Sequence, residues 1–158
     1  MAEKKILVPV DFSELTDELI AYAGEFAKLL NARIILLHII QSTQLVEILG
    51  SLETGIPSLS DPELIEQVRH SAKAKLEGYK RGLVEKGIEV ESEVLAGVPY
   101  LEIAQFAIEK DVDLIIIASH GRSGWRHFLL GSVAEKVAKK SKVPVLIYKP
   151  RLAEETRG

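Results

Sequence analysis

Asp113-Leu-Ile-Ile-Ile-Ala-Ser-His-Gly-Arg-Ser-Gly-Trp-Arg-His-Phe-Leu-Leu-Gly-Ser132 is the stretch whose reading decides the fold of this 158-residue chain. Leu114 to Ala118 is an unbroken apolar run of strand length, as a parallel strand covered on both faces requires. Gly121 and Gly124 then break it into a loop. Gly131-Ser132 stands where a helical pattern begins, with Val133, Ala134, Val137 and Ala138. A helix start offers backbone N–H groups and the positive end of a dipole, so it attracts anions. Glycines let the backbone come close to a phosphate. Strand, glycine loop and helix start together read as a holder of nucleotide phosphates.

The chain on either side of this stretch repeats the alternation. Lys5 to Val10 is a short buried strand, with Pro9 at its carboxyl end, where pairing is already failing. Ser13 is placed to cap a helix whose apolar positions are Leu15, Leu19, Tyr22, Phe26 and Leu30, closed by Asn31 and Ala32. Arg33 to Ile40 is a second buried strand. Residues 41–60 are the least readable part, with a short helix expected near Thr43–Leu49. Asp61-Pro62 starts a long helix striped by Val68, Ala72, Leu76, Tyr79 and Leu83 and ended by Gly87. Ile88 to Leu95 alternates apolar and acidic residues, as a strand near a sheet edge does. Gly97-Val-Pro99 opens a helix with Leu101, Ala104 and Ile108 expected inward. Val143 to Tyr148 is the last strand, and its Pro144 suits an edge position.

Strands alternating with helices imply a parallel sheet with right-handed crossovers and helices on both faces. Five strands suit the order 3-2-1-4-5 in a single α/β domain over residues 1–150, with a frayed polar tail at 151–158. That order reverses between the first and fourth strands, and ligands in such sheets bind at the carboxyl ends beside the reversal. Those ends are Val10-Asp11 and Ala118-Ser119, next to the glycine loop.

A net charge of −3 argues against a nucleic-acid partner. Without cysteine there is no disulfide framework, thiol nucleophile or thiolate metal site, and the four histidines lack zinc spacing. No apolar run reaches the length of a membrane span and no signal peptide pattern opens the chain, so no membrane partner and a cytoplasmic location are expected. The loop lacks the lysine of GxxxxGK[ST], and no G-x-S-x-G elbow is present.

At this point the chain resembles the universal stress proteins of the nucleotide-binding kind, over Ile6 to Lys149. That family's signature is G-x2-G-x9-G-[ST]. Here it reads Ala118-Ser-His-Gly121, nine residues, then Gly131-Ser132. Leu-Val-Pro-Val-Asp-Phe-Ser near the start, Leu-Leu-His-Ile at the end of the second strand, and Val-Pro-Val-Leu-Ile near the end match as well. The resemblance implies a flavodoxin-like fold, related to the adenine nucleotide alpha hydrolases. It implies ATP or a related adenine nucleotide (ADP or AMP), with a Mg or Mn ion carried on its phosphates, and a homodimer. It implies phosphates held by the backbone N–H groups of Gly121, Arg122 and Ser132 and by the Ser132 hydroxyl, adenine near Val10, Asp11 and Ile39, and ribose near Ala118; Pro9, Ser119, His120, Gly131 and Val133 complete the expected nucleotide-binding set.

Single residues admit blander readings. Gly131-Ser132 can serve only as a helix cap, and Asp11 only as the cap of a turn. His120 reads as a hydrogen-bonding loop residue rather than a general base, and His38 as a packed core residue. Trp125 and Phe128 read as packing on the sheet; Arg122 and Arg126 fit either phosphate or solvent. Ala118 departs from the signature, but it continues a strand. It is expected at negative φ, where its methyl causes no strain. The leading function is an ATP-binding stress or signalling module with little or no hydrolysis and no assigned catalytic residue. The competing readings are an interaction module of the same fold without nucleotide, and a true ATP-cleaving enzyme.

Overall fold

The computed structural model describes residues 2–41, 62–121 and 130–150. The helix expected near Thr43–Leu49, Asp61, Arg122, Trp125, Arg126, Phe128 and the tail from 151 lie outside the described residues. Within them the chain runs β1 (Lys4–Pro9), α1 (Thr16–Leu30), β2 (Ala32–Ile40), α2 (Pro62–Val84), β3 (Val90–Ala96), α3 (Pro99–Glu109), β4 (Leu114–Ala118), α4 (Ser132–Lys140) and β5 (Val145–Tyr148). The sheet order is β3-β2-β1-β4-β5 and every pairing is parallel, as expected.

Period-two alternation splits the core between the two faces of the sheet. Ile6, Val8, Ile34, Leu36 and Ile116 face α1 and α2 and meet Leu19, Ala23, Ala72 and Leu76. Leu7, Ile35, Leu37, Ile115 and Ile117 face α3 and α4 and meet Ile103, Phe106, Ala107, Ala134 and Val137. The central strands are apolar on both sides because both sides are covered. No helix among the described residues is long and apolar enough to cross a membrane.

Three helix details differ from expectation. Ser13 does not cap α1: the helix starts at Thr16 after Leu15, without a side-chain cap, and Ser13 belongs to a preceding turn. The buried face of α1 is Leu19, Ile20, Ala23, Gly24 and Ala27, while Tyr22 and Leu30 stand at 36% and 46% exposure. On α3 the buried residues are Ile103, Phe106 and Ala107, and Leu101 and Ile108 are half exposed. Both α1 and α3 are apolar on more than one side, so periodicity alone picks the wrong stripe; on α1 the small residues Ala23, Gly24 and Ala27 go inward, where a helix must lie close on a sheet. Ends are better signalled. Asn31 is left-handed at φ 50° and closes α1, and Ala32 begins β2. Gly87, at φ +80°, ends the turn after α2, with Gly87 N–H on Val84 O and Ile88 N–H on Leu83 O, a Schellman closure.

The two central strands share little register. β1 pairs with β2 from Lys4 to Pro9, but with β4 only through Ile6↔Leu114 and Leu7↔Ile115. A crevice therefore opens at the carboxyl end of β1 and β4. At the opposite end the same strands are laced together. Asp113 accepts the Lys5 backbone N–H at 2.9 Å and the Lys4 ammonium at 3.1 Å, and its own N–H donates to Lys5 O.

Candidate functional site

A cavity of about 320 Å³ lies at the carboxyl ends of β1, β2 and β4, within the size range of small-molecule sites. Pro9, Val10 and Asp11 of the β1 end, Ile39 at the end of β2 and Ala118 at the end of β4 form its floor. His120, Gly121, Gly131, Ser132 and Val133 form one wall. These expected positions come together; Arg122 lies outside the described residues. The other walls were not anticipated from sequence: Ser13, Thr16 and Leu19 of the α1 start, Gln41 after β2, and Pro99 and Ile103 of α3. The carboxyl ends of β1, β2 and β4 all border this crevice, so the strand-end rule, applied to β2 as well, would have found Gln41.

Ser119 is the one described candidate not on the cavity wall. It is buried behind it and acts as a clamp. Its N–H donates to Tyr148 O at 2.8 Å, its carbonyl accepts the Gly131 N–H at 2.6 Å, and its hydroxyl meets His120 Nδ1 at 2.8 Å. His120 is thus oriented by a neighbouring side chain. The Gly131–Ser119 bond brings the start of α4 back to the end of β4, whatever path the chain takes between them.

The glycines are explained by close approach. Gly131 has φ −61° and ψ 153°, which any residue adopts. A methyl there would stand 3.0 Å from Ser119 O and 3.0 Å from His120 Cα. A methyl on Gly121 would overlap the Asp11 carboxylate. Ala118 pairs with Tyr148 as the last residue of β4 and is not among the positive-φ residues, so its methyl is unstrained.

The polar groups divide by charge. α4 begins after Gly131 without a side-chain cap, and its ladder starts with Glu135 N–H on Gly131 O. Its first N–H groups and the Ser132 side chain face the cavity region with the dipole's positive end. Glu135, in the first turn, is drawn to Lys139 at 2.8 Å, which lowers its carboxyl pKa. Asp11, whose carboxylate abuts Gly121, accepts the Ser13 N–H at 2.9 Å. The hydroxyls of Ser13 and Thr16 are buried and have no hydrogen-bond partner among the described residues, although buried polar groups are as a rule satisfied. A cradle that glycines alone allow, a helix start, a carboxylate and two unsatisfied hydroxyls fit a ligand that is anionic at one end and rich in polar groups at the other. Among the described residues no cluster of three or more His, Asp or Glu could hold a metal.

The family model described as the universal stress protein family matches residues 3–149. The chain is 37% identical over 153 residues to universal stress protein MJ0577 of Methanocaldococcus jannaschii, covering 92% of this chain and 94% of that one. It is 35% identical over 147 residues to universal stress protein YxiE of Bacillus subtilis, covering 90% and 97%. The solved structure of MJ0577 superposes with a TM-score of 0.79 over 96% of this chain and 99% of that one. A universal stress protein from Archaeoglobus fulgidus, solved in complex with dAMP, superposes with a TM-score of 0.63 at 26% identity, covering 93% and 98%.

Proposed function

This chain belongs to the universal stress protein family, and on that premise we propose that it is an adenine-nucleotide-binding stress or signalling module, with ATP, ADP or AMP at the carboxyl end of its sheet. The observation that carries the reading is the Ser119–Gly131 bond of 2.6 Å, which holds the uncapped start of α4 over the cavity. The dAMP bound by the Archaeoglobus fulgidus relative supports the ligand class.

Charge orients the ligand. Phosphates go to the N–H groups and hydroxyl of Ser132 and to Val133, where the dipole favours anions by about 0.3–1 kcal/mol or more. Arg122 joins them by resemblance. The Asp11 carboxylate repels phosphate and accepts from an amine or a ribose hydroxyl, so the nucleoside end lies there, against Val10 and Ile39 and beside the Ser13 and Thr16 hydroxyls. A divalent ion rides on the phosphates rather than on a protein cage. His120 is held by Ser119, and no catalytic role is assigned to it. Turnover is slow, since positioned acid–base groups normally supply about 10²–10⁴-fold.

β5 lies at the sheet edge with its four residues half-buried, and a second copy pairs there antiparallel across a two-fold axis. Sedimentation should find a dimer in wild type and a monomer in Leu146→Lys. The nucleotide reading is tested by mass spectrometry of the ligand that co-purifies with folded protein, and by ATP, ADP and AMP titration calorimetry. An adenine nucleotide is expected in both. A folded protein that binds none of the three at millimolar concentration is an interaction module of the same fold instead.

A further inference from the structure

His38 is a buried histidine, 4% exposed, on the face of β2 that turns toward α1 and α2. It does more than fill space. Its Nδ1 lies 2.8 Å from the Val10 carbonyl oxygen. A carbonyl only accepts, so Nδ1 carries the proton. The Val10 N–H is held in turn by Leu37 O at 2.8 Å. Consecutive residues of β2 therefore grip both backbone groups of Val10, the residue before Asp11.

The residue after Asp11 is gripped too. The Phe12 ring lies on the His38 imidazole, with centroids 4.3 Å apart at 32°, and the Lys75 ammonium stands 5.0 Å from the Phe12 ring centroid. Phe12 adopts φ 60°, a left-handed backbone that costs a residue with a Cβ about 1–2 kcal/mol. An aromatic residue stays there only if its surroundings hold it. The chain reverses around Asp11, and the reversal leaves the Asp11 carboxylate between Ser13 N–H and Gly121 in the cavity wall.

We propose that His38 is a positioning residue for the nucleotide site, fixing Val10 through Nδ1–H and Phe12 through its ring, and so setting where the Asp11 carboxylate stands. The inference rests on the nucleotide reading for its consequence in binding, but not for its geometry. A merely structural histidine would make its removal a matter of stability alone. A positioning histidine makes one ring nitrogen matter.

The two amides separate the cases. In His38→Asn the side-chain NH₂ falls near the place of Nδ1 and can still donate to Val10. In His38→Gln it falls near Nε2 and cannot. Two readouts apply to the full-length protein: hydrogen exchange of the Ser13 amide, which reports the Asp11 carboxylate without any ligand, and ATP affinity by calorimetry. The glutamine variant should lose about tenfold in both, and the asparagine variant less than about threefold. In an Asp11→Ala background the glutamine change should no longer alter ATP affinity. Equal behaviour of the two amides in both readouts overturns the proposal. In wild type, long-range ¹⁵N correlation spectra should show His38 Nδ1 as the protonated nitrogen, and an unprotonated Nδ1 overturns it without any variant. If wild type binds no nucleotide, the functional reading fails, while Ser13 exchange still decides the positioning.

Discussion

The two ends of the central strands are built from the same residue types and treat them in opposite ways. At the amino end of the sheet an aspartate, Asp113, is tied to Lys5 N–H and Lys4, and Lys5 Nζ in turn donates to Lys110 O. At the carboxyl end another aspartate, Asp11, stands in a cavity wall beside two hydroxyls with no partner among the described residues. One end spends its polar groups on holding β1 to β4. The other leaves capacity over for something else. The difference teaches where a parallel sheet can carry a site: at the end where its strands part, since the end where they are laced already uses polar groups to join its strands.

The largest effect should come from Ser132→Glu, which sets a carboxylate at the start of α4. ATP affinity should fall at least a hundredfold, about 2.7 kcal/mol, by calorimetry. Melting temperature should hardly move, because Ser132 is exposed. Unchanged affinity would break the comparison by removing phosphate from this end. Gly121→Ala comes next. Its methyl overlaps the Asp11 carboxylate, so one of the two must move, and ATP binding should weaken about tenfold. The double variant with Asp11→Ala should show no further loss from the alanine at 121.

Thr16→Val sharpens the comparison from the stability side. It replaces a buried, unsatisfied hydroxyl by a methyl of similar size, and the ligand-free protein should become more stable by about 1 kcal/mol in urea unfolding. Nucleotide affinity should fall at the same time. Destabilisation would mean that the hydroxyl already has a partner and the carboxyl end is not held in reserve. The smallest effect belongs to the amino end. Hydrogen bonding from Lys5 N–H, with help from Lys4, lowers the Asp113 carboxyl pKa in the folded protein. A group depressed on folding stabilises above its unfolded value, near 3.9, and loses that contribution as pH falls through its folded value. The gap in melting temperature between wild type and Asp113→Asn should therefore close as pH falls below about 4. At neutral pH it should reflect less than about 1 kcal/mol, because the carboxylate side chain is 38% exposed.

The sheet was legible because its strands write their environment directly. Leu114 to Ala118 and Ile34 to Leu37 are apolar without a break, and only cover on both faces explains that. The strand order followed from alternation and handedness. The two glycines and Ser132 marked one wall of the cavity for the same local reasons. The opposite wall was not legible. Thr16 looks like any residue of a first helical turn until α1 is laid beside the cavity. Ser119 read as a ligand contact, and the structure places it buried behind the cavity wall as a clamp, a placement that depends on Tyr148 and Gly131 arriving from elsewhere in the chain. The inward stripe of α3 was misjudged because Leu101 and Ile108 are as apolar as Ile103 and Phe106. Only the packing of α3 against β2 and α4 chooses between them.

The bond between Ser119 and Gly131 also has a meaning for how this chain can change. It brings together the ends of the excursion 120–130, so the sheet on one side and α4 on the other do not depend on that excursion's length. Doubling a segment whose ends are already held together costs only about 0.6 kcal/mol of closure entropy, less than one core methylene group contributes. Insertions here would be nearly invisible to folding. The clasp makes this part of the chain an interchangeable module, one that can drift without endangering the scaffold.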